Sequence, residues 1–299
     1  MTPAPATSSG AAHPKIVVTG ATGAVGRQVA RLLAARASGP AAPTLFVRDP
    51  DKAAALGLAG TVVQGDYQDR DRLRETLEGA DAVFVVTANP LRPEDDENIL
   101  AAARAGGVRH AVKLSWLGVA DPGADDLVAR WNLRSEQALR ESGLSWTVLR
   151  IRTPMSNALA WAPSIGEHGV VRSLGGDART ACVDPRDVAE VAVRALTEPE
   201  HASQVYALTG PQALSPREQT DILAEVLGRR LVFEEITEEE ARAGWSRRYG
   251  DRIAQALLEG ARRRAGGAAG RGDGTLERLI VRPPATFAAW AADHAGLFG

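Results

Sequence analysis

Residues 15–36 constrain the fold of this chain more than any other stretch. Lys15-Ile16-Val17-Val18-Thr19 is a β-branched run that reads as a buried strand, and it passes directly into Gly20-Ala21-Thr22-Gly23-Ala24-Val25-Gly26. Val25, Val29, Leu32 and Leu33 then recur at helical spacing over residues 24–37. A strand, three glycines at intervals of three and a helix make a turn suited to a dinucleotide. Gly20 permits the tight turn, Gly23 lets the backbone approach a pyrophosphate, and Gly26 lets the helix pack closely on the strand. The helix N-terminus, with Thr22, Ala24 and Val25 around it, then faces the phosphates. Glycine makes up 30 of the 299 residues, so the spacing alone is weak; its place between strand and helix gives it meaning.

The same alternation continues along the chain. Strand-like runs fall at 15–19, 44–47, 61–64, 82–86, 109–114, 145–150 and 203–207, with helical patterns at 24–37, 51–56, 69–77, 94–105, 125–142 and 185–197. This predicts an α/β fold with a Rossmann-type, doubly wound parallel sheet. Asp49-Pro50 and Asp184-Pro185 each read as an N-cap followed by proline at the first helical position. From Gly210 onward the patterns are mainly helical, at 215–227, 237–246, 249–264 and 285–295. The expected division is a disordered tail over 1–13, a dinucleotide-binding domain over 14–209 and a small, mainly helical substrate lobe over 210–299. The glycine-rich stretch 265–274 reads as a flexible connector, or as a lid over the cleft between the lobes.

Composition narrows the partners. A net charge of −2 without a long basic run argues against nucleic acid and anionic membranes, and Arg262-Arg263-Arg264 reads as a solvated helix face. No apolar run approaches the roughly 18 residues of a membrane span. Residues 1–13 lack the positive start and apolar block of a secretory signal, and Cys182, the single cysteine, reads as buried filler in a reducing compartment. A cytoplasmic protein, monomeric or homodimeric and acting on a small molecule, is expected. His13, His110, His168, His201 and His294 show no ligand spacing, so no metal is expected.

The second strand is followed by Arg48, where a carboxylate would bind the ribose of NAD. A guanidinium there suits the 2′-phosphate of NADPH, with Lys52 adding charge, while Asp49 serves as the helix cap. Asp66, after the third strand, is placed to meet the adenine amino group or to shape a turn. Thr87 and Asn89, after the fourth, are cofactor neighbours by position.

Further segments extend the pattern: Val47-Arg48-Asp49-Pro50-Asp51-Lys52, Lys113-Leu114-Ser115-Trp116-Leu117-Gly118, Ser142-Gly143-Leu144-Ser145-Trp146-Thr147-Val148-Leu149-Arg150, Val183-Asp184-Pro185-Arg186-Asp187-Val188-Ala189 and Pro283-Pro284-Ala285-Thr286-Phe287-Ala288-Ala289-Trp290. With these and the glycine loop, the chain over 14–297 resembles the NmrA-like branch of the atypical short-chain dehydrogenases. The resemblance implies NAD(P)H binding and, by analogy with triphenylmethane, azo and quinone reductases, hydride delivery to flat conjugated substrates. Other members of the branch are redox-sensing regulators that turn nothing over. The Tyr-x-x-x-Lys pair of the wider superfamily is missing, since Val128 and Asn132 stand at those places.

Ser115 matches the position of the superfamily's serine and is a candidate for hydrogen bonding a substrate carbonyl, or for satisfying a strand end. Asn132 is a candidate for orienting the ribose or a substrate oxygen, with Trp131 beside it. Where relatives commonly read Leu-Arg-Pro-Gly, this chain reads Leu149-Arg150-Ile151-Arg152, which puts Arg152 near the cleft mouth as an anion binder or a salt-bridged arginine. Met155 and Trp161 would form its apolar wall. The expected function is an NADPH-dependent reductase of a conjugated, aromatic or quinone-like molecule. A cofactor-sensing regulator and a cofactor-assisted isomerase or dehydratase are the alternatives.

Overall fold

A computed structural model describes residues 14–36, 42–265 and 274–299. The tail 1–13 and most of the glycine-rich stretch 265–274 lie outside the described residues. Seven strands form one parallel sheet: β1 (Ile16–Thr19), β2 (Thr44–Val47), β3 (Thr61–Gln64), β4 (Ala82–Val85), β5 (His110–Trp116), β6 (Ser145–Ile151) and, after the short β7 (Val170–Ser173), β8 (Gln204–Leu208). Their order is β3-β2-β1-β4-β5-β6-β8, so the winding reverses between β1 and β4, and Val18 pairs with Leu45 on one side and Phe84 on the other. A crevice opens beyond the strand ends at such a switch point.

All four residues of β1, β2 and β4 are buried, which explains their continuous apolar runs: each strand is covered on both faces. Alternation along β4 sends Phe84 to one face, against Val29, Leu33, Val188 and Val191 of the helices Gly26–Arg36 and Pro185–Thr197. Val83 and Val85 face Leu73, Leu77, Ile99 and Leu139 on the other. Each fully buried side chain of this size contributes about 1.5–3 kcal/mol, so the two layers fix the sheet. The caps form as expected: Asp49 accepts from the Lys52 amide at 3.0 Å, and Asp184 accepts from the Arg186 amide at 2.8 Å.

The segment between β6 and Pro185 departs from the expected pattern. It folds as a 3-10 turn (Met155–Trp161), a helix (Ala162–His168) and β7, which pairs in parallel with β9 (Val232–Glu235) in a separate two-stranded sheet. Both strands are only four residues long and partly exposed, so neither carries a periodic signal. Around them a third core gathers Met155, Ile165, Val171, Leu223, Phe287, Trp290 and Phe298. Trp290 stacks on Phe287 and His294, with ring centroids 5.6 and 4.6 Å away. A further helix, Thr275–Ile280, buries Leu276 and Ile280 against the main core. No helix among the described residues is long and apolar enough to cross a membrane.

Candidate active site

The glycine loop caps the sheet at the ends of β1 and β4. Gly20 has φ +60°, and a Cβ there would lie 2.9 Å from Val86; a Cβ on Gly26 would lie 2.2 Å from the Gly20 carbonyl oxygen. Both glycines are therefore required by close backbone approach. Gly23 differs: it is exposed, and its only near neighbour is the Gly20 oxygen at 3.2 Å. Among the described residues, the amides of Thr22, Ala24 and Val25 donate to no protein acceptor. Open backbone with free N–H groups at a helix mouth fits a dinucleotide pyrophosphate.

Tyr67, which the sequence reading passed over, braces the loop: its hydroxyl accepts from the Gly20 amide at 2.9 Å and its ring stacks on Phe46. Burial raises its pKa, so it stays protonated. The only available signal was Tyr67 following the Gly65-Asp66 turn.

Arg48 and Lys52 are exposed, and neither side chain is engaged in an ion pair among the described residues. Asp49 is held as the cap. Asp66 Oδ1 accepts from the Gln68 amide at 2.9 Å and from Arg92 at 2.7 Å; the amide and the guanidinium hold the carboxyl below its usual value despite some burial. The turn reading of Asp66 is thus realised, with Oδ2 left for a ligand. Thr87 donates to Asp96 at 3.0 Å, and Asn89 Oδ1 accepts from the Leu91 amide. Thr87 lines the cleft described next, whereas Asn89 does not.

That cleft, about 1170 Å³, runs from Val86 and Thr87 past Ser115 to the helices beyond β9. It brings together Ser115, Trp131, Asn132, Arg152, Met155 and Trp161, the residues expected on its catalytic and substrate sides. Trp116 and Trp245 also line it, so four of the chain's six tryptophans are here. Trp116 lies flat over Gly118, where a Cβ would come within 2.2 Å of its ring. The Trp131 indole N–H is buried with no acceptor among the described residues. Flat aromatic walls suit a planar conjugated ligand. Cys182 borders the cleft as a buried thiol that burial pushes up to about 11, so it is not a thiolate at neutral pH.

The polar groups are more committed than their positions suggest. Ser115 donates its proton to Glu136 at 2.7 Å, so its oxygen is left only to accept. Asn132 donates to the Val128 carbonyl at 2.9 Å, which fixes its amide within the helix Leu127–Glu141. Arg152 is 6% exposed and forks onto Asp121 at 2.7 and 2.9 Å. Glu136, absent from the sequence reading, is the hub: it is fully buried and accepts from Ser115, from Arg150 at 2.9 and 2.7 Å and from Arg140 at 3.0 Å. Burial pushes its carboxyl up, but the bonds from Arg150 and Ser115, with Arg150's charge and Arg140 behind them, hold it below the ordinary 4.5.

A second buried pair, Lys113 Nζ and Asp96 at 3.0 Å, lies beneath Thr87, with Trp131 5.6 Å above the ammonium. Away from the cleft, Glu198, Glu200 and His201 bring ligand atoms within 4.8 Å of one another near the start of β6, a grouping that the histidine spacing does not reveal.

The site belongs to a protein class with a defined signature: residues 20–199 match the NAD(P)H-binding family model. The chain belongs to that NAD(P)H-binding family. It is 49% identical to the (4-alkanoyl-5-oxo-2,5-dihydrofuran-3-yl)methyl phosphate reductase of Streptomyces griseus, over 95% of this chain and 99% of that one. It is 36% identical to the NAD(P)H azoreductase of Xenophilus azovorans, over 95% and 99% respectively. The NADPH complex of an Escherichia coli NADPH-dependent quinone oxidoreductase superposes with a TM-score of 0.79 at 29% identity, covering 94% of this chain and 99% of that one. These relatives set the chain among NAD(P)H-dependent reductases.

Two measurements check this site. NADPH is expected to bind at least about tenfold more tightly than NADH, because charge-assisted bonds to the 2′-phosphate contribute about 1.5–3 kcal/mol each. Arg48→Ala should remove most of that difference in calorimetry, and equal affinities in the parent would contradict the role. Glu136→Gln should destabilise the protein by about 3 kcal/mol at pH 7, since it unbalances a buried ionic cluster. Glu136 is depressed in the folded state, so its contribution is complete above 4.5 and is lost as pH falls through the lowered value. The gap between parent and variant in urea unfolding should therefore narrow below pH 4.5.

Proposed function

We propose that this chain is a cytoplasmic NADPH-dependent reductase that delivers hydride to the conjugated C=C bond of a small planar carbonyl compound. An acylated butenolide bearing a phosphate ester is its best-supported substrate class. The observation that carries this reading is a cleft walled by Trp116, Trp131, Trp161 and Trp245 that opens from the glycine loop, in a chain 49% identical to a reductase of such a compound. In this reading residues 14–209 bind the dinucleotide and residues 210–299 close over the substrate, joined by the turn and helix between Met155 and His168.

NADPH supplies the hydride. The glycine loop and Arg48 hold the dinucleotide, the tryptophans stack the ring, and Asn132 and Ser115 present fixed polar atoms beside it. In a 4-alkanoyl-5-oxo-2,5-dihydrofuran the ring carbon next to the hydride acceptor lies between two carbonyl groups. The charge left there is delocalised and takes a proton readily from water. Such a substrate needs no tuned tyrosine, which accounts for a reductase with Val128 and Asn132 at the Tyr and Lys places.

Loss of NADPH absorbance with an acylated butenolide phosphate, a quinone and an azo dye tests the reading. Oxidation is expected to be fastest with the butenolide, and Trp131→Ala should raise its KM with little change in NADPH affinity. Absence of substrate-dependent oxidation across all three, with cofactor bound, would favour the cofactor-sensing alternative.

A further inference from the structure

Five arginines stand in or against the upper cleft, and four of them are accounted for. Arg152 is forked on Asp121, Arg262 on Glu238 at 3.0 and 2.5 Å, and Arg263 pairs with Asp126; Arg248 is exposed and lies over the ring of Tyr249. Of the carboxylates on the cleft wall, Glu238 is held by Arg262, and Glu235 accepts from the Gly176 amide with Arg217 beyond it. Arg264 remains. It stands just past the helix Asp251–Arg263, lines the cleft, is partly buried, and its side chain makes no hydrogen bond or ion pair among the described residues.

Such a guanidinium is costly to keep. Burial, together with the like charges of Arg152 and Arg263, holds its pKa below the usual arginine value, and Asp121, the carboxylate that acts on it, is already bound to Arg152. Its location ties it to the aromatic wall of the cleft. A Cβ built on Gly260 would lie 3.5 Å from Arg264 Nη1 and 3.9 Å from the Trp116 ring, so the guanidinium and the aromatic wall converge on one point.

We infer that Arg264 is the anion anchor of the substrate pocket, binding a phosphate monoester carried by the substrate while its ring lies against Trp116. The fork of a guanidinium matches two phosphate oxygens, and the partner missing among the described residues is supplied by the ligand. Arg152, the arginine singled out by the sequence, instead fixes the pocket wall through Asp121. This inference rests on the reductase reading for its substrate, but not for the presence of an anion site.

The test compares the (4-alkanoyl-5-oxo-2,5-dihydrofuran-3-yl)methyl phosphate with its dephosphorylated alcohol. In the parent, kcat/KM should favour the phosphate, and Arg264→Gln should lower the phosphate-to-alcohol ratio about a hundredfold. Arg264→Lys should retain part of the preference, and Arg262→Gln should keep the parental ratio. A ratio unchanged in Arg264→Gln would overturn the inference. Calorimetry with methyl phosphate on the NADP⁺-loaded protein separates this outcome from failure of the reductase reading. Saturable binding in the parent that is lost in Arg264→Gln supports the anchor whether or not either compound is reduced, and equal binding by the two refutes it.

Discussion

The approach of the Gly26 backbone to the Gly20 carbonyl is the constraint on which the rest of the architecture depends. A Cβ at Gly26 would sit 2.2 Å from that oxygen, so the helix Gly26–Arg36 can lie against β1 only because the side chain is absent. That contact sets the angle at which the helix leaves the sheet. It leaves the amides of Thr22, Ala24 and Val25 without an acceptor among the described residues, in the loop that follows β1 at the β1–β4 switch point. Tyr67 holds the loop from beneath through the Gly20 amide. The proposed phosphate site is therefore built from backbone and from two glycines that have no steric alternative.

Behind the substrate side, the structure replaces a reactive pair with a rigid polar frame. Glu136 gathers Ser115, Arg140 and Arg150, while Asp96 gathers Thr87 and Lys113. Each central carboxylate is buried, and each ties a strand end to a helix of the same sheet face. Unbalancing either leaves a charge without its partner, so both hold the cleft wall in one arrangement. A reductase whose substrate stabilises its own developing charge gains more from such positioning than from a general acid.

The sheet was legible because every strand in it is a short apolar run bounded by turn residues and followed by an amphipathic helix; the seven expected strands and the caps at Asp49 and Asp184 all formed. The two-stranded sheet was not legible, since Val170–Ser173 and Val232–Glu235 pair across a long sequence gap and are half exposed. For the site, local signals marked the glycine loop and the residues that the cleft brings together. They could not tell which polar groups were already engaged. Arg152 read as an anion binder or a salt-bridged arginine and is paired with a residue 31 positions away, whereas Arg264 read as part of a solvated face and its side chain has no partner among the described residues. Glu136 and Tyr67 carry no motif of their own, because what they do depends on contacts at long range.

Titration of NADPH into Gly23→Val tests the central claim, that an open backbone cradle at Gly23 holds the dinucleotide. Unlike Gly20 and Gly26, Gly23 is exposed and meets only one backbone oxygen at 3.2 Å, so a side chain there should leave the circular dichroism spectrum and melting cooperativity intact while filling the pyrophosphate space. The account predicts a folded protein whose NADPH affinity has fallen by about two orders of magnitude or more. A folded Gly23→Val that binds NADPH as tightly as the parent would contradict it.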